Sequence, residues 1–214
     1  MPMPAKRPTE PMPSPQGWTV DVAGQPLTLP IVPVGPDLAI PLMMIIDLGV
    51  RFGSHVGTQL ARRLAPLDAD IVVGTATLGI PVAIELTRAL GLDRYVIVQK
   101  SPKLHLADAR SETITAITSK GSQRLLLDPA AEPLLAGRRV IVVDDVISTG
   151  SSIAGTLRLV RAAGAEIVGI GAVLTEGWRW RKTLAADAGL VTALAHIPQF
   201  RPGPAGWEAN PDTL

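Results

Sequence analysis

The stretch Val140-Ile141-Val142-Val143-Asp144-Asp145-Val146-Ile147-Ser148-Thr149-Gly150-Ser151-Ser152 places two adjacent carboxylates between an apolar run and a turn rich in hydroxyls. The run reads as a buried strand, so the acids stand where the chain leaves a sheet. The turn Ser148, Thr149, Gly150, Ser151, Ser152 leads into a helix. There it presents N–H groups and hydroxyls at the positive end of the helix dipole, which suits a phosphate. Paired carboxylates beside such a cradle suit a sugar diol, a magnesium ion or both. The same text also reads as an ordinary helix start capped by Ser148 or Thr149, or as the acceptor aspartate of a receiver-like domain.

Three other places carry candidate chemistry. In Asp70-Ile71-Val72-Val73-Gly74-Thr75-Ala76-Thr77-Leu78-Gly79-Ile80-Pro81, the small residues Thr75, Ala76 and Thr77 separate a strand from a helix. Their N–H groups can approach a dianion closely, or they form a plain connecting turn. Lys100 and Lys103, in Gln99-Lys100-Ser101-Pro102-Lys103-Leu104, are cations able to close over phosphates, or solvated loop charges. Trp178 follows an apolar strand. It offers a ring for stacking on a base, worth about 1–3 kcal/mol, or for packing the following helix. The neighbouring Glu176 suits a donor-rich ring or faces solvent. His55 and His196 have no ligand spacing and read as a helix-surface and a strand-end residue.

The elements that must position these residues follow from the hydrophobic period. Apolar runs flank Gly35-Pro36-Asp37, which predicts a hairpin, and Pro30, Pro33 and Pro41, lacking donors, predict edge strands. Phe52, Val56, Leu60 and Leu64 predict an amphipathic helix over 52–64. Strands are predicted over 71–73, 95–98, 113–118, 124–127, 139–143 and 167–174. Helices are predicted over 80–90, 153–163 and 179–188, with Gly91 and Gly164 as stops of the first two. The alternation predicts an α/β fold: a central, mostly parallel twisted sheet flanked by helices, with a small hood from the N- and C-terminal segments. In such sheets ligands bind beyond the carboxyl ends of the strands. The domain reading is a Pro-rich flexible arm over 1–17, one domain over 18–197 (hood and edge hairpin 18–50, core 51–197) and a loosely ordered Pro-rich tail over 198–214.

Composition excludes several classes. Among 214 residues, 20 Lys+Arg against 19 Asp+Glu leave a net charge of +1, which excludes nucleic-acid binding by bulk charge. A hydrophobic content of 47% excludes global disorder, and the absence of Cys excludes disulfides, thiolate zinc and a Cys nucleophile. The N-terminal text lacks the apolar region of a secretory signal. The longest apolar stretches fall short of the about 20 residues that span a membrane. A cytoplasmic protein without a membrane partner is expected. Aromatics are only 3% (Trp 4, Phe 2, Tyr 1). Trp18 and Trp207 fall in the weakly constrained ends, so Trp178 stands out as a base platform.

The 140–152 stretch closely resembles the PRPP-binding signature of type I phosphoribosyltransferases: four apolar residues, two acids, two apolar residues and a Thr-Gly-x-Ser/Thr turn. The resemblance extends from about 69 to 197 and is greatest to the adenine and xanthine group. It implies that Asp144 and Asp145 hold the ribose hydroxyls of PRPP, with Mg2+ carried by PRPP and by these acids. It further implies that residues 148–152 bind the 5′-phosphate, and that Thr75, Ala76 and Thr77 form the pyrophosphate loop. Lys100 and Lys103 would neutralise the departing pyrophosphate ahead of a mobile lid over 107–112, and Trp178 would stack on the purine. Departures keep the base open. The adenine-type Arg-Gly-Phe loop is missing, Gln99 stands where Arg is usual, Thr118-Ser119-Lys120-Gly121 lacks the adenine-type Glu, and Glu176 replaces a family Lys. The implied activity is transfer of ribose 5-phosphate from PRPP to a purine, in purine salvage, by a homodimer. The alternatives are a PRPP-sensing regulator with little catalysis and a transferase for another base.

Overall fold

The computed structural model describes residues 17–100, 109–115, 122–204 and 206–214. The first half of the chain runs β1 (Gly17–Asp21), β2 (Pro26–Gly35), β3 (Leu38–Pro41), α1 (Gly49–Leu64), β4 (Ile71–Thr75), α2 (Gly79–Ala89) and β5 (Tyr95–Val98). It continues β6 (Arg110–Thr115), β7 (Ser122–Leu127), α3 (Glu132–Leu135), β8 (Arg139–Ile147) and α4 (Ser151–Ala162). It ends β9 (Glu166–Glu176), α5 (Arg179–Leu184), β10 (Val191–Ile197), β11 (Phe200–Gly203) and β12 (Gly206–Ala209).

Five strands form the central sheet in the order β10-β9-β8-β4-β5, and every pairing in it is parallel. Both faces are covered, which is why β8 reads as a continuous apolar run rather than an alternation. Alternate residues of that run serve opposite sides. Val140 and Val142 join the layer of α4 and the β6–β7 ribbon, while Ile141 and Val143 join the layer of α1 and α2. From β4 the chain goes outward to β5 and then returns to the other side of β4 as β8. The strand order therefore reverses between β4 and β8, the point where open α/β sheets form a ligand crevice.

The helix expected over 52–64 is α1, and Phe52, Val56, Leu60 and Leu64 are its buried stripe. Gly57 faces α2: a Cβ there would stand 2.5 Å from the main-chain oxygen of Glu85. Its lack of a side chain sets how closely α1 and α2 pack.

The hood is an antiparallel sheet ordered β1-β2-β3-β11-β12. The hairpin around residues 35–37 is present, but β2 and β3 are interior strands rather than the edge strands that their prolines predicted. The reason lies in the register. β1 pairs with residues 26–30 of β2 and β3 with residues 31–35, so each half of β2 has one partner. The segment read as a loose tail is likewise folded. Its residues 200–203 and 206–209 pair as β11 and β12, and Phe200 meets Trp18 of β1 edge-to-face with ring centroids 5.6 Å apart. Trp207 lies in β12, paired with Pro202. The residues 110–112, assigned to a mobile lid, belong to β6, where Glu112 accepts from Arg158 Nε at 2.8 Å. Of the flexible-arm reading over 1–17, residues 1–16 lie outside the described residues, and Gly17 is the first residue of β1.

Gly57→Ala is expected to destabilise the protein by about 1–3 kcal/mol, since the added methyl meets backbone that cannot rotate away. The check is a lower urea midpoint at unchanged slope.

Candidate active site

β8 does not stop at Val143 as the sequence suggested. It continues through the acids because Val146 and Ile147 pair with Leu174 and Thr175 of β9. Asp144 and Asp145 are therefore strand residues, only 7% and 9% exposed. Asp145 N–H donates to Asp144 Oδ1 at 3.1 Å. A Cβ on Gly79 would lie 2.8 Å from that same oxygen, so only glycine lets α2 begin against the carboxylate. Burial pushes the Asp144 carboxyl well up, the Asp145 charge adds to the rise, and Lys100 partly offsets it. Burial raises Asp145 as well, against the opposing hydrogen bond from the Val146 N–H.

The turn after β8 opens α4. Gly150 occupies its N-cap with φ 79°, and its α-carbon faces Trp180, whose Cα and Cβ would be 3.2 Å from an added Cβ. Both the left-handed backbone and the close approach demand glycine. Thr149 Oγ1 donates to Ser151 Oγ at 3.2 Å and accepts from the Ser151 N–H at 3.3 Å. Ser148 is different: its hydroxyl donates to Glu176 Oε1 at 2.8 Å.

A cleft of about 290 Å³ gathers these groups. Ser148, Thr149, Gly150, Ser151 and Ser152 line it with Asp144, Asp145, Lys100, Thr77 and Leu78. The three residues expected of a pyrophosphate loop divide. Thr77 reaches the cleft. Thr75 is fully buried with its hydroxyl 3.2 Å from that of Thr156 in α4, and Ala76 donates its N–H to Val98 O at 2.9 Å. The bond between Ala76 and Thr77 is a cis peptide. Lys103 lies outside the described residues.

Trp178 is not among the residues lining this cleft. Its ring stacks on His196 with centroids 4.1 Å apart, the Arg181 guanidinium stands 4.5 Å from its centroid, and its Nε1–H donates to Leu214 O at 3.2 Å. The base-platform expectation therefore meets a ring already partnered. His196, a strand-end residue as read, contacts Thr175 Oγ1 at 3.0 Å and Thr213 O at 2.8 Å. His55 is half-buried and 2.9 Å from Val22 O.

Sequence reasoning missed the other wall. Val34, Ile40, Pro41, Leu42 and Met43 of the hood face the cleft, as does Gln123 of β7. A strand hairpin gives no local sign of which side will cap a distant sheet. Glu176, left open between two readings, is 4% exposed and lines the cleft, and its Oε1 accepts from Gln199 Nε2 at 3.0 Å as well as from Ser148.

Among the described residues no three His, Cys, Asp or Glu converge as a metal cage. The donor set fits magnesium in the way it is usually held, by one or two carboxylates with substrate oxygens and water completing the octahedron. Nor is any helix among them long and apolar enough to cross a membrane.

A carboxyl raised on folding holds its proton more tightly in the folded chain, so stability falls as pH rises from the ordinary carboxylate range through the raised value. Asp144→Asn removes that cost. It is expected to raise the melting temperature of the ligand-free protein near pH 7 by about 2–4 °C, for a gain of about 1 kcal/mol. The gain should shrink as the pH is lowered towards the carboxylate range, which paired melts across pH would check.

Residues 57–197 match the family model described as the phosphoribosyl transferase domain. The chain is 29% identical over 156 residues to a xanthine phosphoribosyltransferase of Laribacter hongkongensis, covering 72% of this chain and 81% of that one. It is 34% identical over 122 residues to an orotate phosphoribosyltransferase of Listeria monocytogenes, covering 57% of this chain and 49% of the relative. The solved adenine phosphoribosyltransferase of Rhodothermus marinus superposes with a TM-score of 0.63 at 26% identity, over 78% of this chain and 93% of that one. Since that family model spans well over half of the sequence, the chain belongs to the phosphoribosyltransferase family.

Proposed function

We propose that this protein is a purine phosphoribosyltransferase that moves ribose 5-phosphate from PRPP to a ring nitrogen of a purine and releases pyrophosphate. The observation that carries the reading is the buried Asp144–Asp145 pair, set in one cleft with the opening of α4, Lys100 and Thr77. The purine preference is supported by the longer match to the xanthine relative, 81% of its length against 49% for the orotate relative.

In this reading Asp144 and Asp145 accept hydrogen bonds from the ribose 2′- and 3′-hydroxyls. A carboxylate costly to bury alone gains donors when the diol arrives. The N-terminus of α4, with Thr149, Ser151 and Ser152, takes the 5′-phosphate through N–H groups and hydroxyls. Thr77 and Lys100 face the pyrophosphate, joined by Lys103. The C1′–O bond to pyrophosphate breaks, the C1′–N bond to the base forms, and the base nitrogen's proton passes to the departing pyrophosphate. Lys100 stabilises charge growing on the leaving oxygen. Magnesium, held by PRPP and by Asp144 and Asp145, supplies further neutralisation of the leaving group when bound. The hood wall closes the base side against water, which otherwise competes for C1′.

Assembly as a homodimer in the cytoplasm completes the proposal. The exposed apolar side chains of Ile46 and Val50, at 56% and 83%, are surface that a second copy would cover.

The decisive assay follows pyrophosphate release with PRPP, magnesium and each of adenine, guanine, hypoxanthine and xanthine. Turnover is expected with at least one. Release with none overturns the purine reading, and retained PRPP affinity without release identifies a sensor instead. The double change Asp144→Asn, Asp145→Asn is expected to lower kcat/KM at least about 1000-fold with an unchanged circular dichroism spectrum. Lys100→Ala should cost about 100-fold, mostly in kcat.

A further inference from the structure

Apart from the groups that the phosphate, ribose and pyrophosphate occupy, the cleft is lined mostly by apolar side chains: Val34, Ile40, Leu42 and Met43 on the hood side and Val146 and Ile147 on the sheet side. One charged group in this lining has no place in PRPP binding. Glu176 ends β9 in register with Ile197 of β10, one position beyond the Thr175–Ile147 pair of β9 and β8. It is 4% exposed. Both hydrogen bonds it receives, from Ser148 and Gln199, fall on Oε1. Among the described residues Oε2 has no hydrogen-bond donor, although the carboxylate borders open cleft.

A carboxylate is acceptor-only. Set in an otherwise apolar wall, it rewards a ligand edge that offers N–H and penalises one that offers C=O, because two facing acceptors lose their water and gain nothing. Ser148 and Gln199 both donate to Oε1, so the side chain is held in place before the ligand arrives. Gln199 is in turn anchored: its N–H donates to Thr213 Oγ1 at 2.9 Å, and Thr213 Oγ1 donates to Asn210 O at 2.8 Å.

Resting on the purine reading above, we infer that Glu176 is the base-selecting residue and that it favours an acceptor purine bearing an exocyclic amino group over a dioxopurine. The ring carbon and nitrogen skeleton is held by the apolar walls, and the amino N–H is directed to Oε2. Ser148 and Gln199 act through Glu176 as positioning residues.

The test is a kcat/KM panel for adenine, guanine, hypoxanthine and xanthine, on the unaltered chain and on Glu176→Gln. The unaltered protein is expected to prefer adenine or guanine over xanthine by at least about 100-fold. Glu176→Gln, which replaces one acceptor oxygen by a donor, should shrink that ratio at least about tenfold while moving the KM for PRPP less than about threefold. A thermal melt confirms that the variant folds. Gln199→Leu, which spares the carboxylate, should shift the base ratio in the same direction by a smaller factor. Xanthine as the best substrate, or a ratio that Glu176→Gln leaves unchanged, overturns the inference while the transferase reading stands. Release with no purine at all overturns both.

Discussion

Two neighbouring carboxylates buried at the end of one strand are the constraint around which this molecule is built. Neither makes an ion pair among the described residues, and burial raises both. Buried carboxylates with raised affinity for a proton, set in a cleft, are the pattern that marks a functional site. Everything near them serves that poise. Gly79 lets α2 begin against Asp144 without a side chain in the way, and Gly150 turns the chain sharply from β8 into α4. Parallel pairing with β4 and β9 keeps β8 rigid up to the acids.

Placing the acids at the β4–β8 reversal has a second consequence. The connections after β4 and β8 diverge over opposite faces of the sheet, so the groups at their tips face one crevice. That brings Thr77 and residues 148–152 together, though they are some seventy positions apart in the chain. Thr75 and Thr156, buried with their hydroxyls 3.2 Å apart, tie the two connections from beneath, in place of the ligand contact expected of Thr75.

The hood joins the two ends of the described chain. Trp18 from β1 meets Phe200 from β11, and residues 210–214 fold back beside Trp178 and His196. This explains where the scarce aromatic rings go. Trp178 is used as mortar between β10, α5 and the last residues, and Gln199 in the same cluster reaches Glu176 in the cleft. The cleft wall that carries Glu176 is therefore shaped by segments from both ends of the described chain.

Local chemistry by itself determined a good deal. An apolar run, two acids and a Thr-Gly-containing turn read as a strand followed by a helix start, which places residues 148–152 at the opening of α4, although the strand itself continues past Val143 through Asp144 and Asp145. The four-residue period of Phe52, Val56, Leu60 and Leu64 likewise named the buried face of α1. These features were legible because strand, turn and helix propensities act over a few neighbouring residues. Tertiary structure alone decided the rest. Whether prolines in β2 sit at an edge depends on which half of the strand each partner takes, and whether a Pro-rich end is loose depends on a partner strand far away. The assignments of Trp178 to the packing of His196 and of Glu176 to the cleft turn on contacts across more than fifteen residues. Such contacts form by burial and hydrogen-bond satisfaction between segments, and those have no signature in the spacing of either segment alone.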